Sequence, residues 1–190
     1  MEKVYGRFNM RYGKPYITER IGAKDIFKTL KHVGGELEDA KIVGASGHVS
    51  RSTKIAWIKN KEILSMFMTY AQVANKNAGW NFNIDMIEPL QYAEYSVEDE
   101  FGWHVDQHNK PYSDGRVRKI SFSVFLNDEF EGGEFDIETG NPKEEVRYQT
   151  IKGKPNHAFF FQSDYWHRVR PITKGVRKSL VGWVVGPMFR

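Results

Sequence analysis

The second half of the chain constrains the fold most, because from about residue 80 apolar and polar residues alternate in short runs. Examples are NFNIDMIEPLQYAEY, KISFSVFLN, GGEFDIET, HAFFFQ and VRKSLVGWVV. Runs of this kind, rich in Phe, Val, Ile and Tyr and bounded by Gly, Asn, Asp and Pro, predict short β-strands joined by turns. So many short strands indicate a sandwich, a barrel or a jelly roll, and spacing alone leaves their order open.

Two earlier segments have helical rather than alternating periodicity. Apolar side chains recur at helical spacing in residues 23–33, and again in residues 60–79, where the pattern ends at Gly79. We expect both helices to pack on the outside of the strands. The predicted fold class is therefore mainly β with flanking helices (α+β). With 190 residues and no repeat or linker, one domain is expected, with helical support in residues 1–80 and a β core in residues 81–190.

Composition narrows the chemistry that is available to the chain. The net charge of +4 is mild and the basic residues are scattered, so a nucleic-acid partner is not indicated. There is no cysteine, so a metal site must use His, Asp or Glu, and the absence agrees with a reducing cytoplasm. The first twenty residues lack a signal-peptide pattern, and the longest apolar run, LVGWVVGPMF, is too short to cross a bilayer. We expect a soluble cytoplasmic protein without a membrane partner; its oligomeric state stays open.

The segment FGWHVDQHNK, residues 101–110, places His104, Asp106 and His108 at alternate positions. In an extended chain, His104 and Asp106 point to one face with Cα atoms ~6.5–7 Å apart, close enough to bind one ion. An imidazole and a carboxylate are two thirds of the 2-His-1-carboxylate triad, which holds iron(II) and leaves coordination positions open. A His-x-Asp pattern also arises by chance in strands and turns, so the metal hypothesis needs a third ligand from elsewhere.

Two distal histidines, His157 and His167, are nearly equal candidates for that third ligand by position alone. His167 is slightly favoured by the strand that follows it, RKSLVGW. One face of this strand carries four alternate residues: Arg177, Ser179, Val181 and Trp183. A guanidinium binds a carboxylate through two parallel hydrogen bonds, to which a nearby hydroxyl adds a third. The pattern predicts a site for a small dicarboxylate; the alternative is a surface ion pair of Arg177.

Taken together, WHVD, FEGGEFDI and FFFQSDYWHRVRPITKGVRKSLVGW, with the spacing between them, resemble the iron(II)/2-oxoglutarate-dependent oxygenases. The likeness is to the prolyl 4-hydroxylase-like branch, with its small bacterial and phage members, and covers about residues 85–187. It implies a double-stranded β-helix (a cupin-like jelly roll), in which FEGGEFDI fits as a hairpin with Gly132 and Gly133 at positive φ. It also implies Fe(2+), 2-oxoglutarate and O2, with ascorbate as a stimulant.

The resemblance assigns roles to individual residues. In that family the His-x-Asp pair and a distal histidine bind iron, and these positions are His104, Asp106 and His167. A basic residue ten positions after the distal histidine holds the far carboxylate of 2-oxoglutarate. The residues expected to contact this co-substrate are Arg177, Ser179 and Tyr95, with Tyr92 as the second choice for the tyrosine.

Other expectations concern the pocket and its entrance. A second tyrosine of the family is replaced by Phe125, which removes one hydroxyl contact, and Trp183 is expected either near the metal pocket or in the core. His108 opens the polar stretch QHNKPYSDGRVR, expected to be a loop at the mouth of the site. Arg116 and Arg118 of this stretch are either substrate contacts or solvated charges.

The activity implied is hydroxylation of an unactivated C–H bond, with release of succinate and CO2 and with no side chain acting as a general acid or base. The first candidate substrate is a prolyl or other side chain of a peptide or protein. The same chemistry on a free amino acid, a small metabolite or a nucleobase is the alternative. A non-catalytic jelly-roll module that binds a metal is the second alternative.

Overall fold

β-Sheets and two helices make up the part of the chain that the computed structural model describes. The described residues are 13–33, 37–40, 52–108, 110–140, 145 and 147–188. Both helices occur where the periodicity predicts them, with α1 at Ala23–Leu30 and α2 at Lys61–Asn77. Among the described residues, no helix combines the length and the apolar character needed to span a bilayer.

Helix α2 packs against the outer face of the larger sheet. Its N-terminus is capped by Asn60, whose side chain accepts hydrogen bonds from the backbone N–H groups of Glu62 (3.0 Å) and Ile63 (3.1 Å). Its buried side is an apolar stripe, and the Phe67 ring stacks on Phe122 of the sheet at 5.5 Å between centroids. The prediction that this helix lies outside the strands is confirmed.

The larger sheet has eight strands among the described residues. In spatial order, seven of them are β1 (Tyr16–Arg20), β11 (His157–Gln162), β7 (Arg116–Phe125), β14 (Arg177–Pro187), β5 (Leu90–Tyr95), β3 (Lys54–Ile58) and β2 (Glu38–Asp39). The eighth, β4 (Met86–Ile87), pairs with the far end of β14. Strands β1 and β3 precede residue 80, so the predicted limit of the β core at that residue is wrong.

The smaller sheet has the order β10 (Tyr148–Ile151), β9 (Phe135–Glu138), β12 (His167–Val169) and β6 (Phe101–His104). A separate pair is formed by β13 (Ile172–Gly175) and β8 (Phe130–Gly132). Side chains of the two main sheets meet between them, as shown by Phe135 against Phe159 at 4.3 Å between ring centroids. Two sheets packed in this way form the double-stranded β-helix that the sequence predicts.

The glycine pair between β8 and β9 does not close a hairpin. Gly132 (φ 76°) and Gly133 (φ 63°) have the expected positive φ angles. However, β8 pairs with β13 while β9 pairs with β10 and β12, so the hairpin prediction is wrong. The glycines instead carry the chain from one sheet to another, and a Cβ at Gly132 would lie 2.4 Å from the carbonyl oxygen of Pro171.

A fully buried carboxylate, Asp136, joins three strands of the smaller sheet. It accepts hydrogen bonds from Arg168 Nε (2.7 Å), Arg170 Nε (2.8 Å) and Nη2 (3.1 Å), and Thr150 Oγ1 (2.7 Å). Burial acts to raise the pKa of Asp136, but the hydrogen bonds from Arg170, Thr150 and Arg168 bring it below its ordinary value. The cluster ties β9 and β10 to β12, the strand that carries His167.

We expect Asp136→Asn to lower the free energy of unfolding by about 2–4 kcal/mol at pH 7, because two arginines lose their shared carboxylate. Larger losses are not expected, since both arginines are about one third exposed and regain water. The folded-state pKa lies below the unfolded value of about 3.9, so this stabilisation is present above that pH and is lost as the pH falls through the folded pKa.

Urea denaturation of both proteins at pH 7 and at pH 3 measures this effect. The difference in the free energy of unfolding between the wild type and Asp136→Asn should be smaller at pH 3 than at pH 7. As a matched control, Glu131→Gln breaks only the exposed pair with Lys174 and should change stability by less than about 0.5 kcal/mol. A gap of the same size at both pH values would contradict an ionic role for Asp136.

Candidate metal and co-substrate site

The first two predicted metal ligands lie at the end of β6. His104 is the last residue of the strand, and Asp106 lies in the bend that follows, where its backbone N–H donates to the Ser163 carbonyl at 3.0 Å. The strand thus ends before Asp106, so the two residues do not share one extended segment. Both side chains nevertheless reach the same point, with His104 Nε2 3.8 Å from Asp106 Oδ1.

The third predicted ligand comes from the neighbouring strand. His167 on β12 is the direct antiparallel partner of His104 on β6, and their rings lie 4.1 Å apart between centroids. His167 Nε2 lies 3.5 Å from Asp106 Oδ2. One potential ligand atom from each of the three residues lies within 4.8 Å of the others. His157, the alternative, lies elsewhere and lines a second cavity beside Phe125.

Hydrogen bonds orient the two imidazoles. His104 Nδ1 lies 2.8 Å from the Gly102 carbonyl and His167 Nδ1 lies 3.0 Å from the Tyr165 carbonyl, so each Nδ1 donates a hydrogen bond and each ring turns its Nε2 toward Asp106. Two imidazoles and one carboxylate are the donor set of non-haem iron(II). The residues present therefore fit this metal.

Asp106 stays ionised at neutral pH. Its burial acts to raise the pKa, but His167, His104 and Arg118, in that order, oppose this effect and bring the pKa to about 2. The carboxylate is thus available as an anionic ligand without first losing a proton. The Phe101 ring, stacked on His104 at 3.5 Å between centroids, covers one side of the cluster.

Arg177, the first residue of β14, is 1% exposed. Its Nη1 donates to Ser179 Oγ at 3.2 Å, while Nε and Nη2 have no hydrogen-bond partner in the described structure. The rings of Tyr95 (5.3 Å) and Phe125 (5.1 Å) flank the guanidinium, and burial lowers its pKa. A buried cation with two unsatisfied N–H groups is costly, and an anion bound there would satisfy both.

A single cleft brings the three metal-ligand candidates and Arg177 together. Of the residues predicted near the co-substrate, Tyr95 and Trp183 line it. Seven further lining residues were not predicted from the sequence: Gln91, Phe101, Phe122, Ser123, Phe135, Phe161 and Val169. Gln91 could have been predicted from the sequence, because it lies four residues before Tyr95 and therefore on the same face of β5.

Three other predicted contacts do not line the cleft. Tyr92 faces the helix side of β5, where its hydroxyl donates to Glu94 Oε1 at 2.6 Å, so its assignment to the pocket is wrong. The cause is strand parity, which places Tyr92 and Tyr95 on opposite faces. Ser179 and Phe125 lie around the Arg177 side chain, where they hold the guanidinium in place.

Arg116 and Arg118 lie in strand β7 and not in a loop, so their assignment to the substrate loop is wrong. Arg116 is bound by acidic neighbours, with Nε 2.9 Å from Asp85 and Nη1 2.8 Å from Asp114. His108 does lie outside the strands; it is exposed, and its ring is 5.8 Å from that of Tyr112.

Arg118 lies against the wall of the cleft. It forms two hydrogen bonds with the Glu88 carboxylate, at 2.8 and 2.6 Å, and its guanidinium carbon lies 4.1 Å from the centre of the Trp183 ring. Tyr112 also donates to Glu88, at 2.8 Å. Glu88 therefore links the segment after Asp106 to the wall that contains Trp183.

Comparison with known proteins identifies the class to which this site belongs. The family model described as the 2OG-Fe(II) oxygenase superfamily matches residues 90–185, half of the chain. The chain belongs to that superfamily, which confirms the family predicted from the sequence. Fe(II), 2-oxoglutarate and O2 are the metal and co-substrates that the family implies.

Among individual relatives, a PKHD-type hydroxylase of Synechococcus sp. (strain CC9902) is 32% identical over 103 residues, which cover 53% of this chain and 43% of that protein. The chain thus matches less than half of that curated relative.

A Pseudomonas putida prolyl-4-hydroxylase has a similar structure, with a TM-score of 0.65 and 19% identity over 89% of this chain and 91% of that one. A Trichoplax adhaerens prolyl hydroxylase bound to a peptide fragment has a TM-score of 0.66 and 19% identity, over 90% of this chain and 83% of that one. Because both of these structures are only 19% identical in sequence to this chain, their similarity is evidence for the fold alone.

Proposed function

We propose that this chain is an iron(II)- and 2-oxoglutarate-dependent dioxygenase that hydroxylates an unactivated C–H bond. One observation carries the proposal: a 2-His-1-carboxylate cluster and a buried arginine with unsatisfied N–H groups face a single cleft. The balanced reaction is 2-oxoglutarate + O2 + R–H → succinate + CO2 + R–OH. The metal, when bound, supplies the activation of O2, which amino-acid side chains do not provide.

The chain's own residues bind and orient the reactants. His104, Asp106 and His167 would hold the metal, and their hydrogen-bonded imidazoles keep the Nε2 atoms directed at it. Arg177 would bind the far carboxylate of 2-oxoglutarate, with Tyr95 beside it. The described lining contains no lysine and no carboxylate besides Asp106, so no acid–base role is assigned to a side chain.

The proposed substrate is a prolyl or other side chain of a peptide or protein. The names of the similar proteins support this choice, because they include prolyl hydroxylases and one bound peptide fragment. A largely apolar lining supports it as well, since an uncharged aliphatic ring needs no ionic partner. The same chemistry on a free amino acid, a small metabolite or a nucleobase is the alternative function. A non-catalytic metal-binding jelly roll would have no use for a buried arginine beside the metal ligands.

Release of succinate tests the proposal. Purified protein with iron(II), ascorbate and 2-oxoglutarate is expected to form succinate under air, and a proline-containing peptide should raise the rate and gain one oxygen atom by mass spectrometry. Under nitrogen no succinate should form. Absence of succinate with every peptide, amino acid and nucleobase tested would overturn the proposed chemistry.

A further inference from the structure

A partly exposed tryptophan lies next to the cleft. Trp57 on β3 pairs with Gln91 of β5, so its side chain is on the same sheet face as the cleft lining. Its ring is 6.3 Å from that of Trp183 between centroids, and it is 38% exposed. Trp57 precedes the segment that matches the family model, residues 90–185.

The neighbouring Trp183 is fixed in position. Its backbone carbonyl accepts from the Glu88 N–H at 2.9 Å, and the Arg118 guanidinium covers its ring at 4.1 Å. Trp183 is 6% exposed, and its buried Nε1 has no partner among the described residues. We call Trp57 and Trp183 together the tryptophan platform. It is buried on the cleft side at Trp183 and open to solvent at Trp57, as a docking surface next to a reaction site requires.

Two arginines beside the platform, Arg118 and Arg116, are paired with carboxylates. Arg118 is bound by Glu88, with side chains only 15% and 16% exposed, and Arg116 is bound by both Asp85 and Asp114. Phosphate-bearing substrates are held mainly by cations that are available to them. Neither of these two arginines is available, so the described entrance favours an uncharged substrate segment over a nucleotide or a nucleic acid.

We propose that Trp57 is a specificity-determining residue, and that the tryptophan platform binds an uncharged polypeptide segment next to the residue that is hydroxylated. This rests on the proposed function and names the part of the substrate recognised outside the metal centre. A prolyl ring or a peptide plane packs flat on an indole face, which gives contact area at little entropic cost. The platform is continuous with the cleft, so one extended peptide contacts both.

Peptide binding without turnover tests this inference. The protein, loaded with iron(II) and 2-oxoglutarate under nitrogen, is titrated into a fluorescein-labelled, capped Gly-Ala-Pro-Gly-Ala-Pro-Gly peptide, and the anisotropy is followed. Trp57→Ala is expected to weaken binding about tenfold, whereas Trp57→Phe keeps it within about threefold. Phe27→Ala is the matched control, because it removes an exposed aromatic ring on α1, outside the cleft, and should change nothing. A single-stranded oligothymidine should bind at least tenfold more weakly than the peptide.

Three results would each overturn the inference: no peptide binding by the wild type, equal affinity of wild type and Trp57→Ala, or tighter binding of the oligothymidine. Succinate release in the absence of peptide separates this failure from failure of the proposed function. Trp57 does not line the cleft, so its variants should keep the wild-type rate in that assay. Loss of peptide binding with that rate intact is the outcome that supports the inference.

Discussion

Asp106→Ala is expected to reduce 2-oxoglutarate turnover by roughly 10³-fold or more and to remove tight iron binding. The physical reason is the position of the carboxylate, which is the anionic member of the cluster and has a histidine Nε2 within 4 Å of each oxygen. Water cannot replace it readily, because the side chain is 8% exposed. Iron content after gel filtration and succinate formation are the two measurements.

The matched control for this variant is Asp114→Ala. Asp114 pairs with Arg116 and its side chain is 44% exposed, so the variant should keep its iron and at least half of the turnover. If Asp106→Ala retained one tightly bound iron per chain, the ligand assignment would be wrong. If Asp106→Ala lost its iron but converted 2-oxoglutarate to succinate at the wild-type rate, the metal would have no part in the reaction.

Arg177→Met is expected to have opposite effects on co-substrate binding and on stability. Removing the guanidinium should raise the KM for 2-oxoglutarate by about 10²-fold, because a charge-assisted, bidentate contact is lost. Without 2-oxoglutarate, the same variant should be more stable than the wild type by roughly 1–3 kcal/mol, because a buried cation without an anionic partner is replaced by an apolar chain of similar length.

Thermal unfolding with and without 2-oxoglutarate separates these two effects. The co-substrate should raise the Tm of the iron-loaded wild type and have little effect on that of Arg177→Met. Lys174→Met, which replaces a largely exposed cation on β13, is the control and should behave as wild type. An equal rise in the Tm of wild type and Arg177→Met would show that the far carboxylate is bound elsewhere.

Local sequence patterns predicted much of the fold. The alternating runs became β5, β7, β9, β11 and β14, and both helices occur where apolar spacing indicates them. Strand β12 has only three residues, too short to show a period, and was not predicted. The glycine pair was interpreted as a hairpin because Gly132 and Gly133 allow the positive φ angles of a tight turn, but the partner of each flanking strand is decided by contacts far along the chain.

Local spacing predicted only part of the metal site, because its ligands come from two separate segments of the chain. His104 and Asp106 are neighbours in sequence, so spacing alone suggested them. His167 lies next to them only because β12 pairs with β6. By position alone, His167 and His157 were nearly equal candidates for the third ligand until the family resemblance was considered. Strand parity separates Tyr95 from Tyr92, and parity is fixed only when the register of β5 against β14 is known. The charge pairing of Arg118 with Glu88 likewise depends on tertiary structure.

The central claim is that one cleft binds iron through His104, Asp106 and His167 and binds 2-oxoglutarate through Arg177. Calorimetric titration of 2-oxoglutarate under nitrogen, into protein with and without iron(II), tests it most directly. The structure leads us to expect one 2-oxoglutarate per chain, bound at least tenfold more tightly with iron than without it. Equal affinity in the two titrations, or no binding to the iron-loaded protein, would contradict the claim.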